Sequence, residues 1–245
     1  STTPWADLSL QYSFLQKHRL SLELHHTHSV PSSSFRSASV VQVNPLFSYT
    51  GNPSLVPFKS FEPGLTYTYI PSNKYNLTAF CSGWIVQDRY VYDYEAKPDG
   101  ILRTIKQPIG SYAQVRYGVN LSTRQFGGKL QAGINLLGYT AHNGEPFNWT
   151  KSKFAYAIQA YYYAGQFNFG AVYISPNGYA DGCMVGTWMT TKDSYRISAG
   201  WSDSAWNLRL SFHDFARWNW KGNVGTMSSK YYDLREDFYG VSSHA

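Results

Sequence analysis

Residues 206–215, WNLRLSFHDF, pose the question of fold: Trp206, Leu208, Leu210 and Phe212 share one parity, while Asn207, Arg209, Ser211 and His213 share the other. Successive side chains of a β-strand point to opposite faces, so this alternation describes a strand with one apolar and one polar face. An apolar strand face can rest on a protein core or on lipid, and the alternation alone does not choose between them.

Working outward, the same period of two recurs along all 245 residues. The apolar parity reads Leu8, Leu10, Tyr12, Phe14, then Leu20, Leu22, Leu24, then Leu65, Tyr67, Tyr69, then Leu77, Ala79, Cys81. It continues through Ala113 to Leu121, Leu130 to Leu136, Phe154 to Ala160, Phe167 to Tyr173 and Tyr195 to Trp201. With the opening segment this makes ten strands, and no stretch carries a helical period. Phe80 interrupts the pattern.

The links between strands alternate in length. Within each pair they are short, as in residues 15–19, PSNKY and SDSA, whereas the stretches 28–60, 87–109, 139–153, 175–193 and 216 onward are long. Soluble sandwiches mix hairpins and crossovers, while outer-membrane barrels put short turns on the periplasmic side and long loops outside. Strands of roughly 9–11 residues tilted near 45° cross the hydrocarbon layer, and residues 112–122 and 153–163 have that length. Trp5, Tyr139, Trp201, Trp206 and Trp218 lie near strand ends, where interfacial girdles sit. The expected fold is therefore all-β: an antiparallel up-and-down transmembrane β-barrel portion of about ten strands, a single β-barrel region over residues 1–245.

Composition is consistent with this and excludes other classes. Aromatic residues make up 18% of the chain and charged residues only 15%, which rules out disorder. The net charge of +6 comes from scattered Lys and Arg with no basic stripe, so nucleic acid is not an expected partner. No run of apolar residues is long enough for a transmembrane helix, which leaves barrel strands untouched because their hydropathy signal is weak. The start, STTPWADLSL, lacks the basic and apolar regions of a signal peptide, so the expectation is a removed leader or an internal piece of a longer chain. Cys81 and Cys183 stand alone and suggest neither metal nor redox chemistry.

One stretch adds a family resemblance. Residues 41–70, VQVNPLFSYTGNPSLVPFKSFEPGLTYTYI, contain Gln42, Asn44 and Pro45, then Gly51, Asn52, Pro53, Leu55 and Pro57, then a strand with Leu65, Tyr67 and Tyr69. This resembles the barrel of TonB-dependent receptor-like outer-membrane proteins, where QxNP and GNPxLxP precede a strand of the form LxYxY. Phe58 stands where that family usually has an acidic residue, and Pro63 occupies the approach to the strand. Proline cannot donate a ladder hydrogen bond and glycine permits positive φ, so the motif reads as a rigid corner.

The resemblance implies a barrel of 22 strands around a plug, with this chain covering the C-terminal portion short of the last strand and the plug upstream. It further implies a Gram-negative outer-membrane location, outer-membrane lipid as a partner and a TonB-type energy-transducing protein engaged by an upstream segment. The implied function is ligand binding by extracellular loops followed by energised uptake. The ligand is unknown, with a glycan or metal chelate as the two chemistries considered. Exposed loop aromatics Trp149, Tyr179, Trp218 and Trp220 are the contact candidates, because such rings stack on sugars or planar chelates. A secreted soluble β-rich binding module and a plug-free passive channel are the alternatives.

Enzyme chemistry is not expected. A nucleophile elbow, an HExxH pair and a Walker loop are all missing from the sequence. His25, His26 and His28 cannot all share one strand face, so they are not expected to converge on a metal. Asp93, Glu95 and Asp99 lack the spacing of a calcium loop. Glu236 and Asp237 beside Arg235 read as a solvated ion cluster in a loop. Neither a cofactor nor a resident metal is implied.

Overall fold

The computed structural model describes residues 5–108, 110–180, 184, 186–213, 221–228 and 233–239, the last two stretches as backbone. In chain order the strands are β1 (Trp5–Phe14), β2 (His18–Ser29), β3 (Val41–Asn44), β4 (Phe47–Tyr49), β5 (Phe58–Ser72) and β6 (Tyr75–Gln87). Next come β7 (Val91–Lys97), β8 (Gly100–Lys106), β9 (Tyr112–Gln125), β10 (Leu130–Asn143), β11 (Trp149–Ala164) and β12 (Phe167–Ile174). The last are β13 (Asn177–Ala180), β14 (Trp188–Thr191), β15 (Ser194–Ser202), β16 (Asn207–His213), β17 (Lys221–Ser228) and β18 (Asp233–Tyr239). Among the described residues the only helices are one turn at Ser33–Arg36, capped by Ser32, and a 3-10 turn at Phe126–Gly128.

The protein is all-β, built on a 10-stranded antiparallel sheet in the order β1-β2-β5-β6-β9-β10-β11-β12-β15-β16. These ten are the strands expected from the period-2 pattern. Each pairs with the next long strand along the chain, and the other strands form two small sheets, β3-β4-β8-β7 and β13-β14-β17-β18, within the long connectors. Among the described residues the large sheet is open, with β1 and β16 as its edges.

Register preserves parity across the whole sheet. One row runs Leu22, Leu65, Cys81, Tyr117, Gly138, Phe154. Another runs Leu77, Leu121, Ile134, Ile158, Tyr173, Tyr195. A one-residue slip at any pairing would send every later apolar side chain to the other face, and none occurs in these rows. The result is one continuous apolar face. It is not a core: Leu10 is 53% exposed, Phe154 58% and Leu210 65%.

Buried apolar residues collect elsewhere. Leu55, Tyr90 and Ile105 form one cluster, Val86 and Tyr112 a second, and Tyr139, Ala141 and Trp188 a third. All three lie at the end of the sheet that carries the long connectors. The opposite, short-turn end is rimmed on the apolar face by Tyr12, Tyr75, Tyr162, Phe167 and Trp206, all exposed.

Several local features depart from the sequence pattern for visible reasons. Phe80 directly opposes Gly118, and its ring occupies the space that a side chain at Gly118 would fill. The Tyr117 ring covers Gly138 and the Tyr161 ring covers Gly170 in the same way, so three opposed pairs use an aromatic ring to shield a bare strand glycine. Pro63 lies inside β5, and ladder pairing with β6 lapses between Phe61 and Gly64, as a residue without an N–H requires.

Three expectations are corrected. The stretch 139–153 is mostly strand, because β10 and β11 extend to Asn143 and from Trp149, leaving residues 144–148 as the connector. Tyr139 is not a girdle residue: it opposes Arg116 on the polar parity and is buried. Arg235, Glu236 and Asp237, expected in a loop, lie in β18.

Replacing Phe80 with Ala uncovers Gly118 and should lower stability by about 2 kcal/mol, with Ser122→Ala on the same face near zero. Denaturant midpoints of the two variants against the parent check this.

Candidate functional site

The polar face of β6, β9 and β10 changes character at the long-connector end. There it carries Trp84 and Val86, then Tyr112, Gln114 and Arg116, then Leu137, Tyr139 and Ala141, with Trp84 opposite Gln114 and Tyr139 opposite Arg116. The β13–β14 hairpin, formed within the connector that follows β12, folds over this patch. Between hairpin and sheet lies a cleft of ≈ 330 Å³, lined by Trp84, Gln114, Arg116, Leu137, Tyr139 and residues 177–180. That volume suits a small ligand.

A short polar network holds the hairpin over the cleft. The Ala180 N–H donates to Tyr139 Oη at 3.1 Å, and the Tyr139 hydroxyl donates to Gln114 Oε1 at 2.8 Å. Tyr112 Oη donates to the same Gln114 oxygen at 2.9 Å, so one amide oxygen takes two phenols. From the hairpin itself, Trp188 packs against Tyr139 at 5.9 Å and against Trp149 at 6.0 Å between ring centroids. Gly178 lies so close under the Trp188 indole that a Cβ would stand 2.8 Å from Cζ2. The Arg116 guanidinium is exposed and makes no hydrogen bond or ion pair with a described residue. The cleft thus offers aromatic surface from Trp84 and Tyr179 beside one available cation.

A second network braces the connectors. Arg89 is fully buried; it donates to Asn143 Oδ1, to the Gly144 carbonyl at 2.9 Å and to the Glu145 carbonyl at 2.8 Å, with its guanidinium 5.6 Å from the Phe147 ring centre. A planar cation with a fixed fork of donors suits several acceptors at once. Tyr90 beside it is buried too, and its hydroxyl donates to the Val56 carbonyl at 2.7 Å. Burial pushes the Tyr90 phenol above its ordinary value, so it stays protonated and keeps that bond at neutral pH.

The GNPSLVP segment is a corner in this bracing. Asn52 Oδ1 accepts from the Ser54 N–H at 3.0 Å, Leu55 enters the first cluster, and Val56 is held on both sides by Gln107. Immediately after Pro57 the chain enters β5. Gly51 serves differently from the expectation: its φ is not positive, and its importance is that a Cβ would collide with the Phe35 carbonyl oxygen. Asn44 closes the preceding turn by accepting from the Leu46 N–H at 2.9 Å, with Pro45 between them and Gln42 opposite Ser48.

The sequence candidates fall in different places. Tyr179 lines the cleft. Trp149 is half-buried against Trp188 and its indole N–H donates to the Gly186 carbonyl at 2.9 Å, so it supports the hairpin from behind. Trp218 and Trp220 lie outside the described residues, as does Cys183; Cys81 is a free thiol on the apolar face. Gln114 and Arg116 stood on the polar parity in the sequence, but nothing there set them apart from other polar strand residues. Arg89 had no signal at all.

The acidic and histidine clusters are otherwise employed. Asp93 pairs with Lys106 and Glu95 with Lys97, and no group of three metal-ligating side chains occurs among the described residues. His25 contacts Asp7, while His26 and His28 share the other face, 3.1 Å apart through Nε2. No protein-family model matches this chain, and no curated protein matches it.

Tyr139→Phe removes both the acceptor for Ala180 and the donor to Gln114. Amide exchange at Ala180 and its hairpin neighbours should quicken by about fivefold to tenfold, the equivalent of roughly 1 kcal/mol, with exchange in β2 unchanged.

Proposed function

We propose that the ten-stranded sheet is wall from an outer-membrane β-barrel of the TonB-dependent receptor-like kind, and that the chain belongs to a transporter taking up a small ligand. The observation that carries this reading is the continuous, exposed apolar face. Ten strands at about 4.8 Å spacing make it roughly 45 Å wide, and a height near 20 Å gives on the order of 1,000 Å². Soluble monomers rarely expose an apolar patch beyond a few hundred Å². Lipid removes that cost without a protein core, whereas a soluble module would need the face covered.

Three further observations support the assignment. Short turns lie at one end, and at the other the β2–β5, β6–β9 and β12–β15 connectors are long and structured, with only the β10–β11 link of residues 144–148 short, an asymmetry like that of outer-membrane barrels. Exposed aromatics rim the short-turn end, where the headgroup region would lie. The residues resembling the family's QxNP and GNPxLxP elements brace the connectors just before β5. In this reading the open edges β1 and β16 pair with further strands, since an unpaired backbone group in hydrocarbon costs several kcal/mol.

The polar face then looks into the lumen, and the cleft under the β13–β14 hairpin receives the ligand on its way in. Trp84 and Tyr179 supply stacking surface and Arg116 supplies charge. Energy reaches the transporter through a TonB-type partner at a segment upstream of this chain. Loss of uptake on collapsing the proton gradient separates this transporter from a plug-free channel, whose flux would persist.

The lipid assignment is tested by placing arginine on either face of one central strand. Ile134→Arg, on the apolar face, should destabilise the bilayer-folded protein by about 2 to 4 kcal/mol, while Asn135→Arg on the polar face costs under about 1. Equal costs at the two positions would reject the lipid-facing assignment.

A further inference from the structure

The small sheet β3-β4-β8-β7 holds a guanidinium whose donors the fold leaves unused. Arg103, on β8, is half-buried, and its Cζ lies 4.5 Å from the Tyr92 ring centre, 5.1 Å from Tyr49 and 5.8 Å from Phe47. Rings stabilise the cation through their faces but accept none of its in-plane N–H groups in the ordinary way. The Arg103 Nε is buried with no hydrogen-bond partner, and the guanidinium makes no hydrogen bond or ion pair with any described residue. The contrast with Arg89 lies in the terminal nitrogens: its Nε also makes no hydrogen bond, but its Nη1 and Nη2 donate to a side-chain oxygen and two carbonyls.

The counter-charges of this sheet are on its other side. Arg103 opposes Tyr94 and Tyr49, whereas Asp93 opposes Thr104 and Glu95 opposes Leu102, one residue out of phase and therefore on the opposite face. There Asp93 and Glu95 are matched by Lys106 and Lys97. The aromatic face thus carries one cation with no described acid opposite it. A buried donor without a partner, as the Arg103 Nε is, is costly and calls for an explanation.

We propose that Arg103, framed by Phe47, Tyr49 and Tyr92, is a binding site for an oxyanion, a carboxylate or a phosphate, that docks edge-on to the guanidinium. With Nε buried and three ring centres within 5.8 Å of Cζ, the edge formed by the two terminal nitrogens is the direction of approach left to a ligand, and a two-oxygen group matches two parallel N–H donors. This site is separate from the Arg116 cleft and does not depend on the sheet lying in lipid.

The test uses benzoate and inorganic phosphate as probes on the folded protein, with binding read by intrinsic Tyr and Trp fluorescence. Saturable binding of at least one probe is expected, weakened at least about tenfold by Arg103→Met and by Arg103→Lys, which keeps the charge but loses the fork. Phenylglyoxal labelling of the unmutated protein, followed by peptide mass spectrometry, reads the residue directly. The probe that binds should slow labelling of Arg103 severalfold and leave Arg116 unchanged. Protection by benzoate alone assigns a carboxylate, by phosphate alone a phosphate, and by both a general oxyanion site. Saturable binding that neither variant weakens, or Arg103 labelling that neither probe slows, overturns the proposal.

Discussion

Everything in this structure depends on register. Ten strands pair in chain order without a slip in the rows traced above, so a single parity of the sequence becomes a single face of the sheet. Because side chains alternate with period two, that one constraint keeps one face of the sheet apolar from β1 to β16. The apolar side needs no second layer if its neighbour is lipid, and the polar side is then free to enclose water. The molecule's packing core can accordingly sit away from the sheet's outer face, among the connectors at one end.

That displacement of the core organises the functional end. Long connectors are ordinarily the least ordered parts of a β-protein, yet here they form two small sheets of four strands each, tied to the large sheet by buried residues. Arg89 bonds to Asn143 and to the residue 144–148 turn, the Tyr139–Gln114 pair holds the β13–β14 hairpin, and the GNPSLVP corner delivers the chain into β5. The Arg89 and Tyr139 tethers each join a connector to a position on the polar parity of a strand. Rigid walls with braced loops are suited to presenting a pocket, and the cleft lies at their meeting point.

The large sheet was legible in the sequence because alternation is a local signal that survives strand by strand. Its faces were legible too, except where one residue served another: Phe80 left the pattern to cover Gly118, and Tyr139 looked like a rim aromatic until its parity was followed from Leu137 inward. The small sheets were not legible. Their strands are short, and β4 joins β8 in parallel across a long separation, so no local pattern announces the pairing. Gly51 could be singled out, but its reason could not, since close approach to Phe35 is a tertiary fact. Arg89 and Arg103 looked alike as isolated cations; only the folded chain gives the terminal nitrogens of one three acceptors and surrounds the other with aromatic rings.

The central claim is that the apolar parity meets lipid, and the opening segment WNLRLSFHDF offers the most direct measurement of it. Spin labels placed singly at residues 207–213 of the bilayer-folded protein report collision with oxygen, which concentrates in lipid, and with a water-soluble nickel chelate. The account predicts oxygen maxima at Leu208, Leu210 and Phe212 and nickel maxima at Asn207, Arg209, Ser211 and His213. A flat profile at both quenchers, or nickel maxima on the even-numbered positions, would contradict it.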